Sequence, residues 1–135
     1  MGRGIESRAL LFVQGVALFH ITTRSAWTAA LAAGGYRSPT LDTQGFIHFS
    51  RDKQLLVTAN RFFRGQAGLV VLVVREDRLR ARLANEPADG ELFPHLYGEL
   101  NLDAVTDVFE LPLEADGTIG LPSELAAWAP YFVRR

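Results

Sequence analysis

His20, His48 and His95 are the only histidines in 135 residues, and each stands where a side chain can meet a ligand. His20 ends a β-prone run, His48 sits inside a short apolar one, and His95 lies in the segment Glu91-Leu92-Phe93-Pro94-His95-Leu96-Tyr97-Gly98. An imidazole on a short strand beside Thr22 or Ser50 can orient a ligand by hydrogen bonds, move a proton near neutral pH, or bind a metal. The plainer role for any one of them is a buried ring satisfied by a backbone carbonyl. Finding all three at strand ends, or in a loop with Pro and Gly, favours one histidine-lined cleft.

Three neutral imidazoles also make a metal site with an open position, suited to zinc, iron or nickel, because the ligands can come from separate strands. Arg61 and Arg64 have the planar fork that pairs with phosphate, yet they fall on a helix arc opposite an apolar stripe, where a solvated face is the simpler reading. Tyr97 can donate to a ligand or plug the edge of the core. Trp27, at helical spacing with apolar neighbours, reads as core. The chain carries no phosphate loop, no G-x-G-x-x-G, no H-E-x-x-H and no G-x-S-x-G, so no self-sufficient motif names a reaction.

The elements that must position these residues follow from periodicity. Val16 to Thr22 is apolar and β-prone; Thr23 can cap a helix carrying Trp27, Ala30 and Leu31, ended by Gly34-Gly35. Tyr36 to Gln44 reads as a loop that leads into a buried strand, Phe46 to Ser50. Ser50 can cap the next helix, whose Leu55, Leu56, Ala59, Phe62 and Phe63 form one stripe with Lys53, Asn60, Arg61 and Arg64 opposite. Leu69 to Val74 is a central strand, too short and too rich in Val for a buried helix. A turn of helix over Glu76 to Arg82, a weaker strand near Ala81 to Asn85, a polar loop over Asn85 to Gly90 and a strand over Ala104 to Leu111 complete the pattern. After Pro112 only a helical turn following Ser123 is expected.

Composition sets the frame. Fourteen Lys plus Arg against fifteen Asp plus Glu give a net charge of −1, which supplies no overall field for nucleic acid or anionic membrane. The absence of cysteine excludes a disulfide scaffold, a thiolate metal site and a Cys nucleophile, and fits a reducing, cytoplasmic setting. A hydrophobic fraction of 48% with nine Phe and two Trp is that of a folded domain. The apolar run Ala9 to Ile21 is shorter than a membrane span and lacks a small-residue cleavage site after it. Residues 1–14 therefore read as an N-terminal extension, and 15–135 as one α+β domain.

Four blocks in order, Leu18-Phe19-His20-Ile21-Thr22, Gly45-Phe46-Ile47-His48-Phe49-Ser50, Ala59-Asn60-Arg61-Phe62-Phe63-Arg64-Gly65 and Glu91 to Gly98, resemble the bacterial family called domain of unknown function 952. The resemblance covers about residues 16 to 118, and the family looks distantly similar to the ADP-ribosyltransferase superfamily. That likeness implies a small split, mostly antiparallel sheet with two flanking helices, and a cleft that takes NAD or a related nucleotide as substrate. His20-Ile21-Thr22 matches the superfamily's His-x-Thr, which implies His20 on the ribose, and His48 stands at the aromatic position that faces the nicotinamide. The superfamily's catalytic Glu has no match in register: His95 is closest, with Glu91 and Glu99 on either side. A related branch removes an RNA 2′-phosphate with NAD, the reading toward which Arg61 and Arg64 point. The implied chemistry is ADP-ribosyl transfer or NAD glycohydrolysis; the alternatives are the three-histidine metal site and a non-catalytic nucleotide-binding module.

Overall fold

A computed structural model describes residues 15–132, so the extension expected over residues 1–14 lies outside the described residues. The fold is α+β, with two antiparallel three-stranded sheets. The first has β3 (Leu69–Arg75) between β1 (Ala17–Thr23) and β6 (Val105–Glu110); the second has β5 (Glu91–Tyr97) between β2 (Ile47–His48) and β4 (Arg82–Ala88). Four α-helices accompany them: α1 (Arg24–Ala33), α2 (Pro39–Thr43), α3 (Asp52–Phe62) and α4 (Ala129–Phe132). Among the described residues no helix is long and apolar enough to cross a membrane.

The unbroken apolar run of β3 has a direct cause: its sheet is covered on both faces, so neither alternate set of side chains meets water. Leu69, Val71 and Val73 join Phe19, Ile21, Leu55, Ala59, Trp128 and Phe132 in one core. Val70, Leu72 and Val74 join Leu18, Trp27, Tyr36, Ile47 and Leu96 in a second core between the two sheets. Trp27 is thus core, as its spacing implies, whereas Leu31 on the same helix is 56% exposed. Thr23 caps α1 through its hydroxyl, which accepts from Ala26 N–H, and Gly34 ends the helix in the left-handed region.

Several expectations are corrected. The loop over Tyr36 to Gln44 contains α2, started by Ser38 as N-cap and Pro39 at its first position. Ser50 does not cap α3, because its backbone exchanges both hydrogen bonds with Phe19; Arg51 is the N-cap residue, and its N–H is taken by Gln54 Oε1 at 2.9 Å. Phe62 leaves the apolar stripe, 61% exposed, and lines a cleft. Asn60, placed on the polar arc, instead clamps the C-terminal tail by bonding both the N–H and the carbonyl of Ile119. That tail is more ordered than a single turn, with a 3₁₀ segment over Ser123–Trp128 running into α4.

The largest correction concerns residues 82–97. The polar loop over Asn85 to Gly90 and the Pro-containing segment around His95 form one hairpin, β4 paired with β5 from Ala88↔Glu91 to Arg82↔Tyr97. Asp89 (φ 50°) and Gly90 (φ 81°) make the tight turn, both left-handed as a two-residue hairpin turn demands. Pro87 is tolerated because β4 is an edge strand, and Pro94 sits where the two-residue β2 has ended, its carbonyl still taking the Phe49 N–H at 2.9 Å.

Past the end of that hairpin, a Cβ added at Gly98 meets Ala81 Cβ at 2.8 Å, and one added at Gly35 overlaps the Glu99 carboxylate. Ala81 has no torsion to yield, whereas the Glu99 carboxylate can swing away. Gly98→Ala is therefore expected to cost about 1–3 kcal/mol and Gly35→Ala much less, a contrast that urea denaturation of the two variants checks.

Candidate functional site

The two sheets part where the strand expected over Phe46 to Ser50 changes partner. Ile47 and His48 pair with β5; Phe49 makes its last bond to Pro94; Ser50 then pairs with Phe19 of β1. Gly45, at φ 90°, turns the chain out of α2 into this segment, a conformation that a side chain would strain. Beside the parting lies a cavity of about 530 Å³ whose walls include His20, His48 and His95, together with Thr22, Tyr36, Gln44, Ser50, Phe62 and Phe93. The one cleft expected from three scattered histidines is thereby drawn from both sheets.

His20 is buried and fully engaged. Its Nδ1 lies 2.5 Å from the His48 carbonyl, which can only accept, so Nδ1 carries the proton. Nε2 is then an acceptor, 2.7 Å from the Tyr36 hydroxyl, and Tyr36 is in turn 2.9 Å from Thr22 Oγ1. The Tyr36 hydroxyl thus links His20 to Thr22, and one buried chain of bonds joins Thr22, Tyr36, His20 and the His48 carbonyl. Burial pushes the His20 imidazole down to about 4, against the partial support of the His48 carbonyl. Burial also raises the Tyr36 phenol. His20 is neutral at pH 7.

His48 is more open. Its Nε2 is 3.0 Å from Gln44 Oε1, and its ring stands edge-on to His95, 5.2 Å between centroids. Burial and then the neighbouring His95 lower its affinity for a proton.

His95 is buried at 4% exposure with Phe46 stacked on its ring at 4.0 Å. Its Nδ1 is 2.9 Å from Glu86 Oε1, and the same oxygen accepts a short 2.5 Å bond from the Tyr97 hydroxyl. These bonds, Tyr97 first and His95 second, hold the Glu86 carboxyl below its usual range, and the Glu86 contact raises the Tyr97 phenol. Arg82 lies over the Tyr97 ring at 4.3 Å. Among the described residues, His95 Nε2 is the one buried side-chain nitrogen or oxygen without a hydrogen-bond partner. The register explains the grouping: Ala84 faces His95 across the hairpin, and its small side chain lets Glu86, the diagonal neighbour, reach the ring.

The model of the family described as "Protein of unknown function (DUF952)" matches residues 21–108, well over half of the chain. The chain belongs to the DUF952 family. It is similar to protein CC0527 from Caulobacter crescentus, whose crystal structure shares 40% identity at a TM-score of 0.74 and covers 82% of this chain and 98% of that one. The solution NMR structure of CC0527 agrees, with 39% identity, a TM-score of 0.71, and 83% and 98% coverage. No match was found among curated proteins.

In this DUF952 protein the expected site residues divide. Thr22, Ser50 and the three histidines border the cavity. Tyr97 joins through Glu86. Arg61 pairs with Asp89 at 3.4 Å, and Arg64 reaches the Asp116 carbonyl at 3.3 Å; neither borders the cavity, so the phosphate clamp is not assembled. Glu91 accepts from Gln54 at 3.3 Å and also lies off the cavity wall. The three-histidine metal site is not formed either, because both His20 nitrogens are spent inside the protein and no group of three His, Cys, Asp or Glu among the described residues is placed to hold an ion.

Sequence reasoning missed Glu86, Tyr36, Gln44 and Phe46. The Asp89-Gly90 pair, between two runs able to form strands, was the available signal for the hairpin that puts Glu86 beside His95. Ser38-Pro39, a capping residue followed by Pro, was the signal for the helix that delivers Gln44.

Proposed function

We propose that this DUF952 protein binds NAD or a closely related nucleotide in the His20–His48–His95 cleft and acts on the nicotinamide glycosidic bond, by hydrolysis or by ADP-ribosyl transfer. The observation that carries this reading is the convergence of three histidines from two diverging sheets on one cavity, the arrangement that the ADP-ribosyltransferase resemblance implies for His20 and His48. Its volume of about 530 Å³ lies within the ordinary range for small-molecule sites. The resemblance assigns His20 to the ribose, but its nitrogens are occupied, so the ribose hydroxyls are met by Tyr36 and Thr22, which His20 orients. His48 and Phe93 offer rings to a planar base.

A second reading, a non-catalytic module for a nucleoside without phosphate, is favoured by the wall itself, which carries hydroxyls, rings and the Asp89 carboxylate but no lysine or arginine. Calorimetric titration with NAD, ADP-ribose, nicotinamide riboside and nicotinamide separates the two. NAD is expected to bind saturably and, at about a hundred times its dissociation constant, to stabilise the native state by about 2.7 kcal/mol. Binding is expected to be lost in His48→Ala without loss of fold, since His48 is half-exposed and its ring nitrogens hold one bond, to Gln44. Tight binding of the riboside with none of NAD would establish the second reading instead.

A further inference from the structure

We propose that Glu86, His95 and Tyr97 form the acid–base unit of the cleft, with His95 Nε2 as the general base that activates water, so that the reaction is hydrolysis and not transfer to a bulky acceptor. The glycosidic substrate rests on the nucleotide reading above; the acid–base unit rests on geometry alone. A buried imidazole nitrogen without a partner costs stability, and a fold that only needed to fill space would bond it or replace it. Here the opposite nitrogen is held by a carboxylate, which is itself held by Tyr97, and the ring plane is fixed by Phe46.

A carboxylate can only accept, so Glu86 places the His95 proton on Nδ1 and leaves the lone pair on Nε2. That tautomer is the minority form of a neutral imidazole in water, and holding it is the function of an orienting carboxylate beside a catalytic base. His95 would touch the reacting water and is the catalytic residue; Glu86 and Tyr97 are positioning residues. The acceptor follows from access. Phe46 stacks on the ring and the edge of His48 closes another approach, which leaves no room beside Nε2 for a bulky acceptor.

In the step itself, Nε2 takes a proton from water while the water oxygen bonds to ribose C1′. The C1′–N bond breaks, and nicotinamide leaves as a neutral molecule with the bonding pair that cancels its pyridinium charge. The imidazolium, stabilised by the ionised Glu86, then returns its proton to solvent. ADP-ribose and nicotinamide are the products, with one proton released.

The test combines a spectrum with an assay on the full chain. Nuclear magnetic resonance of isotopically labelled imidazole nitrogens in the unliganded protein is expected to show His95 with a protonated Nδ1 and a bare Nε2, and Glu86→Ala is expected to shift the proton toward Nε2. A protonated Nε2 in the unaltered protein would overturn the acid–base unit whatever NAD does. With NAD as the probe, His95→Gln is expected to slow hydrolysis by about a hundredfold while calorimetric affinity stays within about threefold. Glu86→Ala should slow it too, and Tyr97→Phe less. NAD that binds but is not hydrolysed would overturn the general-base role and leave the nucleotide reading standing. NAD that does not bind would remove the nucleotide reading and the glycosidic step with it, and the tautomer would then decide the acid–base unit on its own.

Discussion

His20→Ala is expected to lower the free energy of unfolding by about 3 kcal/mol, roughly a hundredfold in the folding equilibrium. The ring is only 6% exposed and packs against Tyr36 and Phe49, with centroids 5.1 and 5.4 Å away, so its removal leaves a void. It also takes a partner from two polar groups, the His48 carbonyl and the Tyr36 hydroxyl, of which Tyr36 keeps its bond to Thr22. For a chain of this size the melting temperature should fall by roughly 10 °C. His48→Ala is expected to cost less than about 1 kcal/mol, because that ring is half-exposed and its ring nitrogens hold a single bond. Urea denaturation of the two variants side by side checks the contrast; equal losses would mean that His20 is not the structural member of the pair.

Acid should destabilise the protein through the same residue. Burial lowers the His20 imidazole from 6.5 to about 4 in the native state, while in the unfolded chain it returns to 6.5. Between those values the unfolded chain binds a proton that the native state does not, so falling pH favours unfolding. The contribution is complete above pH 6.5, is lost progressively toward pH 4, and amounts to about 3 kcal/mol. His48 shifts in the same direction and adds to the same limb. Below that window Glu86, Asp77, Asp103 and Asp116, whose carboxyls are held low by hydrogen bonds, give up their own contributions at more acid pH. Unfolding free energies measured from pH 8 down to 4 should trace this slope, and the slope should be shallower in His20→Ala by about the same amount. A variant as acid-sensitive as the parent would move the effect to another group.

The parts of the fold legible in the sequence were those set by local pattern. Thr23, the Trp27–Ala30 spacing and Gly34 announce α1 because a helix writes its cap, buried face and stop within one short segment. The Leu69–Val74 run announces β3 because burial on two faces removes alternation. The β4–β5 hairpin was not legible in the same way. Its edge strand is polar on one face and carries Pro87, its partner carries Pro94, and both prolines argue against strand until the edge position and the end of β2 are known.

The site divides along the same line. The three histidines were identifiable as a set by type and by their strand setting. That Glu86 lies beside His95 is a fact of cross-strand register, and that Tyr36 closes on His20 is a fact of how α1 folds back over β1. Neither is written in spacing along the chain. Arg61 and Arg64 suit phosphate by type, and their helix arc turns Arg61 to Asp89, itself on the cavity wall, and Arg64 to the Asp116 carbonyl.

The mutual pair between Phe19 and Ser50, at 2.8 and 2.9 Å, is a single rung between β1 and the end of the β2 segment. Side chains add to it: His20 holds the His48 carbonyl, Arg51 joins Glu76 after β3 to Asn85 of β4, and Gln54 of α3 holds the Leu92 carbonyl of β5, over the apolar layer of Leu18, Leu72, Ile47 and Leu96. Among the described residues only that rung continues the backbone pairing from one sheet to the other; the rest of the joint is made by side chains. The walls of the cavity therefore belong to two separate ladders, so a substitution that weakens one sheet disturbs one wall while the hydrogen bonds of the other sheet stay intact.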